Sequence, residues 1–229
     1  MSGDLVDRLR LVRSPGIGPI TYRQLVVRFG SASEALAAVP DLARRGGGTA
    51  PRLWSRDAAE REIDQVEKLG ARYLCLGQGL YPRLLAEQED APPLLIARGV
   101  INLLDRPAVA IVGARNASAA ACRFARGLAH DLGREGMVVV SGPARGIDSA
   151  AHDAAFDSGT IGVVAGGIDV FYPPENEARQ RDMFERGLVL SEMPPAPSRA
   201  RAIFPTATGS SPASPRERWW SRRRRARAR

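Results

Sequence analysis

Two hydrophobic periodicities divide the chain. From about residue 4 to 60 the apolar positions recur at helical spacing in short runs. Leu25, Val26 and Phe29 mark one side of a helix that follows a Gly-Ile-Gly turn in "SPGIGPITYRQLVVRFG". Ser33 is placed to cap a further helix reaching Ala38. "ARRGGGTAPR" has the composition of a linker, and "SRDAAEREIDQVEKLG" reads as a charged helix closed by Gly70.

Beyond this point the pattern changes to short continuous apolar runs, most of them ending at glycine: "RYLCLG", "PPLLIARG", "AVAIVG", "MVVVSG", "TIGVVAGG" and "GLVLSE". From Ser118 onward they alternate with helical stretches at Ser118–Glu135, Asp148–Ser158 and Glu175–Arg186. Apolar strands separated by helices predict a parallel sheet buried on both faces, a doubly wound α/β domain. In such sheets ligands sit beyond the carboxyl ends of the strands. The loops to inspect are therefore "GARNAS", "SGPARGIDSAAH" and "AGGIDVFYPPEN".

Composition changes this picture little. The chain of 229 residues is 44% hydrophobic, enough for a core, and has no apolar run long enough to span a membrane. Its N-terminus carries acids and no apolar segment of the secretory kind. Cys75 and Cys122 fit no metal or redox spacing and read as two small buried thiols of a reducing compartment. The net charge of +8 suggests a polyanionic partner, but eight arginines and one glutamate from Arg216 onward supply +7 of it. The rest of the chain is nearly neutral, so global charge says little about the folded part.

The first loop has only Gly113 where a dinucleotide fingerprint needs three glycines, and the next strand ends Val140-Ser141-Gly142 without an acid for a ribose. Nicotinamide and flavin readings fall away. Arg115 remains at the strand tip, either meeting a phosphate together with helix amides or pairing with Asp148. In the second loop Ser141-Gly142 allows close backbone approach, Arg145-Gly146 presents a second cation, and Asp148 is expected to cap the following helix. His152 stands one turn after Asp148; a structural Asp–His contact outweighs an acid–base pair, because no nucleophile accompanies them. The third loop offers Gly166 and Gly167, then a rigid Tyr172-Pro173-Pro174 turn. Tyr172 either stacks on a base or covers the sheet edge. The N-terminal Gly-Ile-Gly turn has the form of a helix-hairpin-helix module, whose amides meet phosphates, but an ordinary helical turn needs glycine too.

Taken in order, "IVGARNAS", "VVSGPARGIDSAAHDAA", "VVAGGIDVFYPPEN" and "GLVLSEMPP" followed by "FP" resemble the DNA-processing protein A (DprA/Smf) family of bacteria over about residues 5–205. The resemblance implies an extended Rossmann-like doubly wound parallel sheet (residues 66–205) preceded by a small helical domain of sterile-alpha-motif or helix-hairpin-helix type (1–65). It implies a cytoplasmic, non-enzymatic protein without metal or cofactor. Such a protein binds single-stranded DNA, dimerises, protects incoming strands in natural transformation and loads the RecA recombinase. The DNA-binding residues so implied are Gly113 and Arg115; Ser141, Gly142, Arg145, Gly146 and Asp148; and Gly166, Gly167, Asp169 and Tyr172, with Pro173 also on the motif. Pro143 replaces the family's usual leucine. The competing enzyme reading, a nucleotide hydrolase of the lysine-decarboxylase-like class, needs a Pro-Gly-Gly-x-Gly-Thr loop that "AGGIDV" does not complete. A third reading is a globular domain whose arginines serve only in ion pairs.

After Phe204-Pro205 the family continues with one variable residue, often histidine, and then Arg-Asn-Arg-Ile-Ile-Ser-Gly-Leu-Ser, whereas this chain does not. The first two codon bases of each residue from Ala207 to Pro215, joined to the third base of the codon before, can encode that family segment in order. Residues 206–229 are therefore expected to be an out-of-frame, Arg-rich product of a GC-rich gene, not a selected basic arm. The expected consequences are a sheet lacking its last strands, an exposed apolar edge at "GLVLSE", doubtful dimerisation and impaired DNA binding.

Overall fold

A computed structural model describes residues 3–47, 49, 51–172 and 174–196. The tail from residue 206, Phe204-Pro205 and Pro173 lie outside the described residues.

Four helices open the chain: α1 (Gly3–Arg13), α2 (Pro19–Phe29), α3 (Ala32–Arg45) and α4 (Arg56–Lys68). The cap of α3 is Ser31, not the expected Ser33. Ser31 has extended backbone and its Oγ accepts from Glu34 N at 3.1 Å, whereas Ser33 already lies inside the helix. Ser55 caps α4 in the same way through Ala58 N. Leu11, Tyr22, Leu25, Ala35, Leu36 and Val39 form the core among the first three helices. Val6 and Leu9 of α1, with Ala59 and Ile63 of α4, pack on Leu94 of the sheet. This junction also holds a buried charge: Glu62 accepts from Arg13 Nη2 at 2.8 Å and from the Tyr73 hydroxyl at 2.7 Å.

All six apolar runs become strands: β1 (Arg72–Cys75), β2 (Leu94–Gly99), β3 (Ala108–Ala110), β4 (Val138–Ser141), β5 (Thr160–Gly167) and β6 (Leu188–Met193). They form one sheet in the order β1-β2-β6-β5-β4-β3. Strands β3 to β6 are parallel, as continuous apolar runs between helices require, and β2 runs antiparallel to both β6 and β1. The remaining helices are α5 (Arg83–Ala86), α6 (Ala119–Arg134), α7 (Ile147–Ala155) and α8 (Glu177–Arg186).

From β3 to β6 each connection moves in the same direction across the sheet, so right-handed crossovers place α6, α7 and α8 on one face. Val139 packs there with Ala129, Ala151 and Ala155, and Ile96, Val164 and Val189 pack with Met183 and with Val66 of α4. The alternate residues Val138, Ile161, Leu188 and Leu190 face the other way. They are covered by Tyr81 and Leu103 of the long connections around β2.

The expected open edge at "GLVLSE" is not found. β6 lies inside the sheet, between β2 and β5, because the antiparallel β2 closes its far side. The edge strands among the described residues are β1 and β3; on β3 Ala108 and Ala110 are exposed, with Val112, Phe124 and Leu128 uncovered nearby. Both cysteines are free and only partly buried, less enclosed than expected.

Candidate functional site

The carboxyl ends of β3, β4 and β5 bring three loops together, and the structure shows how each is held. The first loop follows Ile111. Gly113 N donates to Asp148 Oδ1 at 3.3 Å, and a Cβ on Gly113 would come within 2.5 Å of Ile147 Cγ1. Glycine here makes room for Ile147 at the start of α7. Ser118 Oγ accepts from Ala121 N and starts α6 as its sequence suggests. Between these anchors Arg115 and Asn116 are exposed. Among the described residues no carboxylate lies within ion-pair distance of Arg115, so the pairing with Asp148 is not formed.

The second loop leaves β4 at Ser141, whose buried hydroxyl donates to Ile111 O at 2.6 Å and ties two strand ends together. Gly142 is also buried. Pro143, in place of leucine, has its carbonyl held by Asn176 Nδ2. Ser149 Oγ donates to Ala144 O at 2.7 Å. Gly146 has φ +81°, and a Cβ there would overlap Ala114 O and Arg115 O; only glycine lets the second loop lie against the first. Arg145, next to it, is exposed.

Two expectations about α7 need correction. Asp148 does not cap the helix: the cap position is Gly146, and Asp148 sits inside the first turn, 3% exposed, reaching back to Gly113. Its neighbour in the sequence pattern, His152, makes no pair with it. His152 is fully buried, with Nε2 3.1 Å from Gly142 O and Nδ1 2.7 Å from Thr160 Oγ1. The contact with a carbonyl requires the proton on Nε2; the single proton of the Thr160 hydroxyl lies between Nδ1 and Val139 O, 3.1 Å away. Burial pushes the imidazole down to about 4. A neutral, enclosed ring of this kind holds the loop and is not positioned as a general base.

The third loop continues from Gly166 and Gly167. Asp169 Oδ1 accepts from Ala196 N at 3.0 Å, fastening the segment after β6 to this loop. Ser191 Oγ donates to Gly166 O at 2.7 Å and does the same one strand over. Tyr172 is 58% exposed at the outer surface of the loop. Asn176, 3% exposed, accepts from Arg179 Nη1 at 2.8 Å as well as gripping Pro143 O. Arg179 itself is taken up by Asp153. Asn176 escaped the sequence reading although its signal was available, an amide at the end of the rigid "YPPEN" turn.

The structure thus divides the residues singled out from sequence. Arg115, Arg145 and Tyr172 are exposed on adjoining crests. Gly113, Ser141, Gly142, Gly146, Asp148, Gly167 and Asp169 shape and fasten those crests, and Gly166 lends its carbonyl to Ser191. Among the described residues no group of His, Cys, Asp and Glu is arranged to hold a metal ion.

Residues 2–64 match the family described as "DprA-like N-terminal HHH domain", and residues 72–207 match "DNA recombination-mediator protein A". The DNA processing protein DprA of Streptococcus pneumoniae is 42% identical over 127 residues, 55% of this chain and 45% of that protein. The Bacillus subtilis protein of the same name is 38% identical over 148 residues, 63% of this chain and 50% of that protein. The X-ray structure of the Streptococcus pneumoniae protein matches with a TM-score of 0.56 and 36% identity, covering 62% of this chain and 49% of that one. The chain spans about half the length of these relatives. With the second match covering more than half of its residues and all three strand-end loops, the chain belongs to the DNA recombination-mediator protein A family.

Proposed function

We propose that the protein binds single-stranded DNA across its strand-end loops, without cutting or modifying it. The observation that supports this most strongly is the pair Arg115 and Arg145, exposed on two loops that lie against each other at Gly146. Two guanidinium groups on rigid, glycine-shaped crests suit the repeating phosphates of a backbone, and Tyr172 offers an exposed ring on which a base can stack. A hydrolase at the same loops would need an activated water or nucleophile, and the imidazole nearest to them, His152, is enclosed and neutral.

On this reading the helical region, residues 1–65, and the sheet region, 66–205, are two domains. The protein works in the cytoplasm, shields incoming strands during transformation and passes them to the RecA recombinase. No helix among the described residues is long and apolar enough to cross a membrane. Fluorescence anisotropy of a labelled oligothymidine at low ionic strength tests the reading. Arg115→Ala and Arg145→Ala are each expected to weaken binding about tenfold, the loss of one charge-assisted contact. Undiminished binding by both variants, or turnover of a nucleotide by the wild-type protein, would overturn it.

A further inference from the structure

Away from the crests, a groove of about 450 Å³ opens between the end of α4, β2 and α8. Arg98 and Arg181 meet in it, together with Lys68 and the side-chain-free turn at Gly70. Each guanidinium is laid on an aromatic ring. Arg98 Cζ stands 3.9 Å from the centroid of Phe184, and Arg181 Cζ stands 4.9 Å from that of Phe171; the two rings are 6.4 Å apart. This stacking fixes two planar guanidinium groups in one cavity; Glu177 takes up Nε and Nη2 of Arg181, while the fork of Arg98 has no carboxylate on it among the described residues.

Three carboxylates stand near these three cations, but none reaches Arg98. Arg181 is paired with Glu177 at 2.7 Å. Asp169, on the rim, is engaged by Ala196 N, and Glu185 lies at the outer end. Among the described residues Arg98 has no carboxylate within ion-pair distance. Burial and the neighbouring charge of Arg181 together push its pKa below the usual arginine range. A partly desolvated cation beside another cation is ordinarily matched by an anion. The cavity is also of the size of small-ligand sites.

We propose that this groove binds a phosphate-bearing ligand of mononucleotide size, its phosphate held between Arg98 and Arg181. Lys68 adds a third positive charge at the rim. The phosphate has two possible sources, a free nucleotide or the backbone of a bound DNA strand. Arg115 and Arg145 do not line the groove, so the site stands or falls independently of the crests.

Isothermal titration of the full chain with AMP, and with inorganic phosphate as the minimal probe, tests this at low ionic strength. Saturable binding at one site is expected, weakened about tenfold by Arg98→Gln and a few-fold by Lys68→Ala, and unchanged by Arg115→Ala. Circular dichroism and thermal unfolding establish that the variants are folded; Lys68 is exposed, so its variant keeps the test decisive if Arg98→Gln unfolds. Competition with an oligothymidine in the Arg115→Ala background separates the sources: displacement of AMP assigns the site to strand phosphates, and persistence assigns it to a free nucleotide. Either result supports the site. Absence of saturable binding of both probes overturns the proposal, as does binding that Arg98→Gln and Lys68→Ala leave intact or that only Arg115→Ala removes.

Discussion

Acidification should loosen this fold through His152 before most carboxylates titrate. The imidazole is pushed down to about 4 in the folded chain, from an ordinary value of 6.5. Between those values the unfolded chain binds a proton that the folded chain refuses. Stability contributed by the neutral ring is therefore complete above pH 6.5 and is lost as pH falls from 6.5 towards 4. The gap of 6.5 minus 4 is worth about 3 kcal/mol in all, most of which is lost by pH 4.5. The experiment is urea unfolding of the wild-type chain and of His152→Leu at pH 7.5, 6 and 4.5. Leucine cannot donate to Gly142 O, so the variant is less stable at pH 7.5 by about 1–3 kcal/mol. Titration of other groups is common to both proteins and cancels in the difference. The difference should shrink, or change sign, by about 2–3 kcal/mol on going to pH 4.5. If it stays constant to within about 0.5 kcal/mol, a proton is not being excluded from this site and the assignment of a neutral, loop-holding histidine is wrong.

Three other outcomes follow from the same geometry. Gly146→Ala meets both a left-handed backbone and the carbonyls of Ala114 and Arg115; it should cost about 2–4 kcal/mol in urea unfolding and separate the two arginine-bearing loops, lowering affinity for oligothymidine even where the chain is folded. Glu62→Ala leaves Arg13 partly buried without its carboxylate and should destabilise by about 3 kcal/mol, against about 1 kcal/mol for Tyr73→Phe, as read by thermal unfolding. Reading the coding DNA across the Pro205 codon tests the frame: insertion of one base there should restore Arg-Asn-Arg-Ile-Ile, and a relative encoding the Arg-rich tail in its natural frame would refute the idea.

What could be read from the sequence was mostly local. Each apolar run between glycines became a strand, because a strand buried on both faces has few other ways to hide such residues. The open edge was misplaced for a nonlocal reason. "GLVLSE" reads as the last strand by chain order, yet β2, drawn from far earlier in the chain, pairs with it antiparallel and seals it. The caps show the same limit at short range: Ser31 and Ser33 are both eligible, and only backbone geometry selects the first. At the site, residue types announced the loops but not the division of labour. Ser141, Gly142 and Asp148 are polar or small at a strand tip, as contact residues would be, yet all three are buried in fastening the loops. Gly113, too, has a packing role that its type does not announce: it makes room for Ile147. The groove at Arg98 left no trace in the sequence, since its two arginines and two phenylalanines come from β2, the third loop and α8.

The central claim is that Arg115 and Arg145 meet the phosphates of a single strand, and the salt dependence of oligothymidine binding tests it most directly. Each phosphate contact adds about 0.7 to the slope of log affinity against log salt concentration for single strands. Anisotropy titrations between low and moderate salt should therefore show a slope shallower by about 0.7 for Arg115→Ala and by about 1.4 for the double variant with Arg145→Ala. A slope that both substitutions leave unchanged would contradict the account.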